Sequence, residues 1–187
     1  MTINGQNTVL IICGPTASGK SALALDIAGA FGGTIINADS MQVYQELPIL
    51  TARPRPADEA KVPHRLYGIT SIADTFSAGR WQSLAEREIR AALSEGSLPV
   101  VCGGTGLYLK ALMQGLSPIP EIPTKIRARA RQLLAKKGAA WCHNQLAACD
   151  PSTAERLAPN DTQRIARALE VFEATGKPIS DWQATAP

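Results

Sequence analysis

The stretch Gly14-Pro15-Thr16-Ala17-Ser18-Gly19-Lys20-Ser21 follows the pattern G-x-x-x-x-G-K-S of a phosphate-binding loop. It stands between an apolar run, Thr8–Cys13, that predicts a buried strand and a helix pattern, Ser21–Phe31, that ends at Gly32-Gly33. Such glycines let backbone N–H groups converge on phosphate oxygens, and the helix adds the positive end of its dipole. We therefore predict that this loop binds a diphosphate or polyphosphate, with Lys20 on the terminal phosphate and the Ser21 hydroxyl on Mg²⁺.

Two further strand patterns end in residues that can do chemistry. Thr34–Ala38 is closed by Asp39-Ser40, and Leu98–Cys102 is followed by Gly103-Gly104-Thr105-Gly106. The carboxyl ends of parallel strands face one crevice, so we expect Asp39 and Thr105 to lie near the phosphate loop. Asp39 could hold Mg²⁺ through water or accept a proton from a nucleophile, and its alternative role is to cap a turn. Thr105 can offer its hydroxyl to a ligand.

The order of these patterns predicts an α/β fold. Strand–loop–helix units repeat, with one helix capped by Ser77 and ended near Gly96, and another starting at about Leu107. Residues 45–63 contain four prolines and are predicted to be mostly loop. The repeat indicates a P-loop NTPase-like parallel sheet with crossover helices. Three strands are few for such a sheet, which predicts that part of the core is absent.

The second half of the chain is predicted to be helical. Thr124–Lys137 has an amphipathic pattern ended by Gly138, a shorter helix covers Ala139–Cys149, and Asn160 or Asp161 can cap a helix to Thr175. No strand pattern follows Cys102. We therefore divide the chain into residues 1–117, the first part of the α/β core, and residues 118–187, a helical region.

Composition excludes several classes of protein. Of the 187 residues, 45% are hydrophobic and 19% charged, and the mean hydropathy is −0.04, which is typical of a globular protein rather than a disordered one. No apolar run is long enough to span a membrane, and Met1 to Thr8 lack the basic start of a secretory signal. The four cysteines do not have the spacing of a zinc site. We expect a reduced, cytoplasmic protein, and a monomer.

Basic residues are concentrated in one window. Between Lys110 and Ala140 the only acidic residue is Glu121, against seven basic ones: Lys110, Lys125, Arg127, Arg129, Arg131, Lys136 and Lys137. The window could bind an anionic partner such as nucleic acid, or it could be a solvated helix face. Gln163-Arg164-Ile165-Ala166-Arg167 has the same ambiguity, because its two arginines could contact phosphates or pair with Glu170 or Glu173.

Taken together, these segments resemble the tRNA dimethylallyltransferase (tRNA isopentenyltransferase) family. The most specific matches are the stretches Asp39-Ser-Met-Gln-Val-Tyr44, Gly103-Gly-Thr-Gly-Leu-Tyr108 and Asn160-Asp-Thr-Gln-Arg164. Further matches are the phosphate loop, Thr51-Ala-Arg-Pro54, Pro63-His-Arg-Leu66 and Gly115-Leu-Ser-Pro118. Family members extend well beyond the position of Pro187, so the resemblance implies a shortened chain. Glu46, Pro48 and Leu50 depart from the family, which more often has Gly, Asp and Gly there.

The resemblance implies a reaction and a role for each motif. Dimethylallyl diphosphate would place its diphosphate on Gly14 to Ser21 with Mg²⁺ at Ser21, and the exocyclic amine of an adenosine beside the tRNA anticodon would attack its allylic carbon. By resemblance Asp39 accepts the amine proton, Lys20 stabilises the leaving diphosphate, and Thr105 lies at the reacting centre. The base must leave its stack to reach such a site. The residues implied in tRNA binding are Asp39, Ser40, Met41, Gln42, Thr105, Arg127, Gln163, Arg164, Ile165, Ala166 and Arg167.

Other functions remain open at this point. An adenylate isopentenyltransferase would prenylate a free nucleotide, and a P-loop kinase of a small metabolite would bind ATP on Lys20 instead of the prenyl donor. A chain that only binds RNA, or is inert, is the alternative outside the enzymes. The basic helix around Arg127 favours tRNA, since a free nucleotide needs no such extended surface.

Overall fold

The computed structural model describes residues 8–185 of the chain. The expectation that no secretory signal is present rests almost wholly on residues 1–7, which lie outside the described residues. The chain forms two compact units, one ending at Gly115 and the other beginning at Leu116.

The first unit is an α/β sheet with helices on both faces. Its elements are β1 (Leu10–Cys13), α1 (Lys20–Phe31), β2 (Gly33–Asn37), α2 (Pro56–Glu59), β3 (His64–Arg65), α3 (Ala78–Ser94), β4 (Leu98–Gly103) and α4 (Gly106–Gln114). The strands lie in the order β1-β4-β2-β3, and every described pairing is parallel. The predicted α/β fold with a parallel sheet is therefore confirmed.

The two central strands are buried along their whole length. Every residue of β2 and of β4 is buried, as expected for parallel strands covered on both faces. Alternate side chains face different cores: Ile35 and Val100 pack with α1, whereas Ile36 and Val101 pack with α3. The sheet thus holds the ends of β1, β2 and β4 at one edge.

Local signals set the helix ends. The Ser77 hydroxyl accepts a hydrogen bond from Arg80 N and starts α3, and Gly32 ends α1 in the left-handed conformation. Two short elements lie where sequence predicts only loop or no strand. Pro56 starts the one-turn helix α2, and His64–Arg65 pairs with Ile35 and Ile36 as a fourth strand.

In its described part the second unit contains helices and no strand. Its helices are α5 (Thr124–Lys137), α6 (Ala139–Cys149), α7 (Pro151–Arg156), α8 (Thr162–Thr175) and α9 (Ile179–Ala184). They surround a core that includes Ile122, Leu146, Ile165 and Val171. The buried Asp150 carboxylate caps α7 by accepting from Thr153 N at 3.0 Å, and it also accepts from Ser180 N at 3.0 Å. In residues 8–185 no helix combines the length and the apolar character needed to cross a membrane.

Candidate active site

The phosphate loop joins β1 to α1 and takes the curved shape its sequence predicts. Ala17 and Gly19 have φ values of 64° and 80°, in the left-handed region where successive N–H groups can turn toward one point. The Lys20 ammonium folds back over the loop and donates to Pro15 O at 2.8 Å. The exposed Ser21 follows in the first turn of the 12-residue helix. A helix N-terminus, a cation and a hydroxyl therefore meet at one anion-binding position.

The end of β4 lies against this loop. A Cβ built on Gly104 would stand 3.0 Å from Gly14 O and 3.9 Å from Lys20 Cε. At Gly103 a Cβ would overlap the backbone of Ala38, so only glycine lets β4 approach the end of β2 this closely. The structure brings the three predicted strand ends together.

Asp39 follows the end of β2, and its own side chain closes the turn there. Its Oδ1 accepts from Met41 N at 2.8 Å, and its own N–H donates to Asn37 Oδ1 at 2.8 Å. Within the described residues neither a hydrogen bond nor an ion pair engages Oδ2. The carboxylate is thus held by one oxygen while the other can receive a proton.

Thr105 ties the end of β4 to the end of β2. Its Oγ1 accepts from Ser40 N at 2.8 Å and donates to Ser40 Oγ at 3.2 Å, while Thr105 N donates to Ala38 O at 3.1 Å. The hydroxyl predicted to meet a ligand therefore also fixes Ser40 beside Asp39.

Three buried residues that were not predicted from the sequence, Asn37, Trp81 and Tyr108, support the turn at Asp39. We call them the buried floor of the site. The Asn37 amide donates to Asp39 O at 3.0 Å and to Leu66 O at 3.1 Å, and the Trp81 indole N–H donates to Asn37 O at 2.8 Å. Trp81 is fully buried and stacks on Tyr108 with ring centroids 4.5 Å apart. The only sequence signal was the position of Asn37 at the end of an apolar strand, next to the Asp39 motif.

Cys102 lies between the loop and Asp39. Its thiol faces Lys20 O at 3.7 Å, and its carbonyl accepts from Ala38 N at 2.8 Å. Burial raises the pKa of the thiol, the Lys20 cation lowers it and the Asp39 carboxylate raises it. Burial also raises the pKa of Tyr108 to about 12, with smaller contributions from Tyr44 and Asp39. The thiol and the phenol are therefore neutral near pH 7.

Met41 and Gln42, implied in tRNA binding, point in different directions. The Met41 side chain is half exposed, whereas the Gln42 amide turns back and donates to Thr51 O at 2.7 Å and Ala52 O at 3.2 Å. Gln42 thus holds the turn at residues 51–52 in place.

The remaining implied tRNA contacts lie in the second unit, on α5 and α8. Arg164 pairs with Asp161, Arg167 pairs with Glu170 at 2.7 Å, and Gln163 is exposed. Ile165 is fully buried in the core of this unit, so its side chain is not available to RNA, and Ala166 is half-buried. Arg167 therefore has one of the two expected partners, whereas Arg164, which is 73% exposed, pairs with Asp161 and not with Glu170 or Glu173.

Arg127 differs from these arginines. Its Nε is buried without a hydrogen-bond partner, and within residues 8–185 no ion pair involves it. Arg129, two residues further along α5, pairs with Glu173 at 3.2 Å.

Residues 42–187 match the family model described as IPP transferase. The chain belongs to the IPP transferase family. It is 58% identical over 174 residues to the tRNA dimethylallyltransferase of Paramagnetospirillum magneticum, a match covering 93% of this chain and 55% of that one. It is 54% identical over 178 residues to the tRNA dimethylallyltransferase of Rhodospirillum rubrum, covering 95% and 55%. The chain spans about half the length of these curated relatives.

Solved structures of IPP transferases share the fold. A eukaryotic dimethylallyltransferase acting on tRNA superposes with a TM-score of 0.80 at 30% identity, over 95% of this chain and 44% of that one. The tRNA isopentenylpyrophosphate transferase of Bacillus halodurans superposes with a TM-score of 0.58 at 34% identity, over 91% and 57%.

Glu46, one of the three positions expected to depart from the family pattern, has a clear partner. Its carboxylate accepts from Ser71 Oγ at 2.6 Å and from Ile72 N at 3.0 Å. The hydrogen bond from Ser71 is the largest of the effects that lower the pKa of Glu46. The departure therefore anchors the segment after Tyr44 to the turn at residues 71–72.

Proposed function

We propose that this chain carries the donor site and the proton acceptor of a tRNA dimethylallyltransferase. The observation that carries the proposal is the position of Cys102, which contacts Lys20 O on one side and Ala38 N, next to Asp39, on the other. A phosphate-binding loop and a carboxylate with a free oxygen thus lie one strand apart. A group transfer from a diphosphate to a weak nucleophile needs this pairing of an anion site with a base.

The proposed reaction uses these positions. The exocyclic amine of the target adenosine forms a bond to C1 of the dimethylallyl group as the bond from C1 to the diphosphate oxygen breaks. Asp39 Oδ2 accepts the proton that the amine loses. Negative charge grows on the leaving diphosphate, and Lys20 and the loop N–H groups are the donors placed nearby to stabilise it. Lys20 would exchange its bond to Pro15 O for a phosphate oxygen.

Mg²⁺ fits the oxygen ligands at this edge. In the described part of the chain no cluster of three or more His, Cys, Asp or Glu side chains could hold a metal alone. Mg²⁺ commonly takes one or two protein oxygens together with substrate phosphate oxygens, and the Ser21 hydroxyl is of that kind. When bound, the ion would neutralise charge on the leaving diphosphate.

We propose the tRNA anticodon stem-loop as the acceptor, bound by the exposed basic residues of α5 and α8 and by Ser40 and Met41. Two relatives bear the name tRNA dimethylallyltransferase, and a structural neighbour acts on tRNA. This acceptor implies a cytoplasmic enzyme, and we expect a monomer.

Parallel calorimetric titrations with dimethylallyl diphosphate and with ATP, both in Mg²⁺, test the donor. We expect tighter binding of dimethylallyl diphosphate, and a preference for ATP would instead indicate a kinase. Prenyl transfer is then measured with an anticodon stem-loop and with AMP as acceptors. Transfer to AMP alone would indicate an adenylate isopentenyltransferase, and binding of neither donor would contradict the proposal for this chain.

A further inference from the structure

The proline-containing segment at residues 42–53 is fixed by several hydrogen bonds. Gln42 donates to the carbonyls of Thr51 and Ala52, and the Thr51 hydroxyl donates to Leu47 O at 2.6 Å. Arg53 N donates to Pro48 O at 3.0 Å. These bonds fix the backbone at Arg53, a residue of the Thr51-Ala-Arg-Pro54 motif to which the proposed reaction assigns no role.

The Arg53 side chain is fixed as well. Its guanidinium packs against Gly68, where a Cβ would collide with three guanidinium atoms. Gly68 has a φ of 57°, and its N–H donates to Gln42 O at 2.9 Å. Gln42 therefore contacts both the turn that carries Arg53 and the glycine on which the guanidinium rests.

Arg53 has a charge that the described protein leaves unbalanced. Its Nε is buried without a hydrogen-bond partner, and within residues 8–185 no ion pair involves it. Asp58, a nearby carboxylate, is bound instead by Arg55 at 3.2 Å and by Lys61 at 3.3 Å. A half-buried cation without a counterion is costly, and a ligand anion would offset that cost.

The guanidinium borders a cavity of about 710 Å³ that reaches the phosphate loop. Ser21 lines one part of it, and most of the remaining wall is apolar, including Leu25, Ile35 and Pro54. Such a cavity suits a molecule with an anionic end and a hydrocarbon end. A prenyl diphosphate has both.

We propose that Arg53 binds an oxygen of the donor's diphosphate from the side of the cavity opposite to the phosphate loop. This inference rests on the proposed function. The planar guanidinium can donate two parallel hydrogen bonds to a phosphate, and the contacts of Gln42 and Gly68 hold it in place for that purpose. Gln42 is then a positioning residue for Arg53.

The test is the affinity of this chain for inorganic diphosphate with Mg²⁺, measured by calorimetry for the wild type, Arg53→Met and Arg55→Met. Arg55 is a matched control, because it lines the same cavity two residues away but is 81% exposed and paired with Asp58. We expect Arg53→Met to weaken binding about tenfold to a hundredfold and Arg55→Met less than about twofold. Equal affinities for the two variants would overturn the inference.

A second variant and a second readout separate failure of the inference from failure of the proposed function. Arg53→Gln keeps a donor and removes the charge, so it serves where Arg53→Met does not fold, and we expect the same loss of affinity. If the wild type transfers the prenyl group to tRNA and Arg53→Gln has an unchanged KM for the donor, the inference fails and the proposed function stands. If the wild type binds no diphosphate, both fail.

Discussion

Among the described residues, both units of this chain contain arginines that are paired with acids and arginines that are not, although the units differ in net charge. Residues 1–115 contain nine basic and nine acidic residues, yet Lys20 and Arg53 have no carboxylate partner among the described residues. Residues 116–187 contain ten basic and seven acidic residues, yet Arg129, Arg164 and Arg167 are all paired with acids. A surplus of charge along the sequence therefore does not locate the cations that are free to bind.

The largest effect is expected for prenyl transfer when Asp39 of the first unit is substituted. Asp39→Asn keeps an oxygen that can accept from Met41 N but removes the base, so we expect prenyl transfer to fall by about 10²- to 10⁴-fold. Affinity for dimethylallyl diphosphate should stay close to that of the wild type. Single-turnover rates and calorimetry measure the two quantities. Near-wild-type transfer by both Asp39→Asn and Asp39→Ala would exclude this carboxylate as the base.

The next effect concerns stability and tests the buried floor of the first unit. Asn37→Ala removes the three hydrogen bonds of the amide and leaves the buried Leu66 O without its partner, so we expect the free energy of unfolding to drop by about 2–4 kcal/mol. Asn144→Ala, at an exposed position of α6, should change it by less than about 0.5 kcal/mol. Urea titrations of both variants provide the comparison. A similar loss in both would mean that Asn37 does not support the site.

A smaller effect is expected at Arg127 in the second unit, whose Nε is buried without a hydrogen-bond partner. Arg127→Ala should weaken binding of an anticodon stem-loop about tenfold and make the affinity less dependent on salt. Arg129→Ala should have less effect, because that guanidinium is already paired with Glu173. Fluorescence anisotropy at two salt concentrations measures both, and AMP binding, which should respond little to salt, serves as the reference. The pairing argument fails if Arg129→Ala has the larger effect.

The smallest effect is a pH dependence in the second unit. Burial raises the pKa of the Asp150 carboxyl, but hydrogen bonds from Ser180 and Thr153 outweigh it and lower the pKa below its usual value. The stability that Asp150 contributes is therefore present above the unfolded pKa of about 3.9 and is lost as pH falls through the lower folded pKa. Thermal melts of the wild type and Asp150→Asn from pH 7 to pH 3 should converge at the acid end. A constant gap between them would contradict this assignment.

The sequence predicts the longer helices of the second unit with accurate bounds, because helix signals are local. The short helices α7 (Pro151–Arg156) and α9 (Ile179–Ala184) were not predicted. Thr124–Lys137 and Ala139–Cys149 have the bounds read from periodicity and glycine stops, and Asp161 caps α8 as one of two expected residues. The strand His64–Arg65 was missed because it is two residues long and is defined only by its pairing with β2. The one-turn helix Pro56–Glu59 lies inside a stretch whose prolines predict loop.

Some residues of the candidate site can be predicted from local sequence motifs, and others cannot. The motifs locate the phosphate loop, Asp39 and Thr105, because these residues follow strands whose ends meet in any parallel sheet. Asn37, Gln42 and Arg53 could not be assigned their contacts from sequence, since their partners Leu66, Thr51 and Gly68 are known only once the chain has folded. Long-range hydrogen bonds decide what these three side chains do.

The stacking of Trp81 on Tyr108 near Asp39 makes Trp81 an intrinsic fluorescent probe of the candidate site. Trp81 is fully enclosed, stacked on Tyr108 and bonded to Asn37, whereas Trp141 is exposed to solvent and Trp182 is half-buried. An ionic quencher such as iodide reaches exposed indoles and not enclosed ones. The fluorescence that remains after quenching therefore comes mainly from Trp81. Its indole is hydrogen-bonded to Asn37, which precedes the proposed base Asp39 by two residues. If the packing around Asn37 and Trp81 loosens, iodide reaches Trp81, and the fraction of unquenched fluorescence decreases.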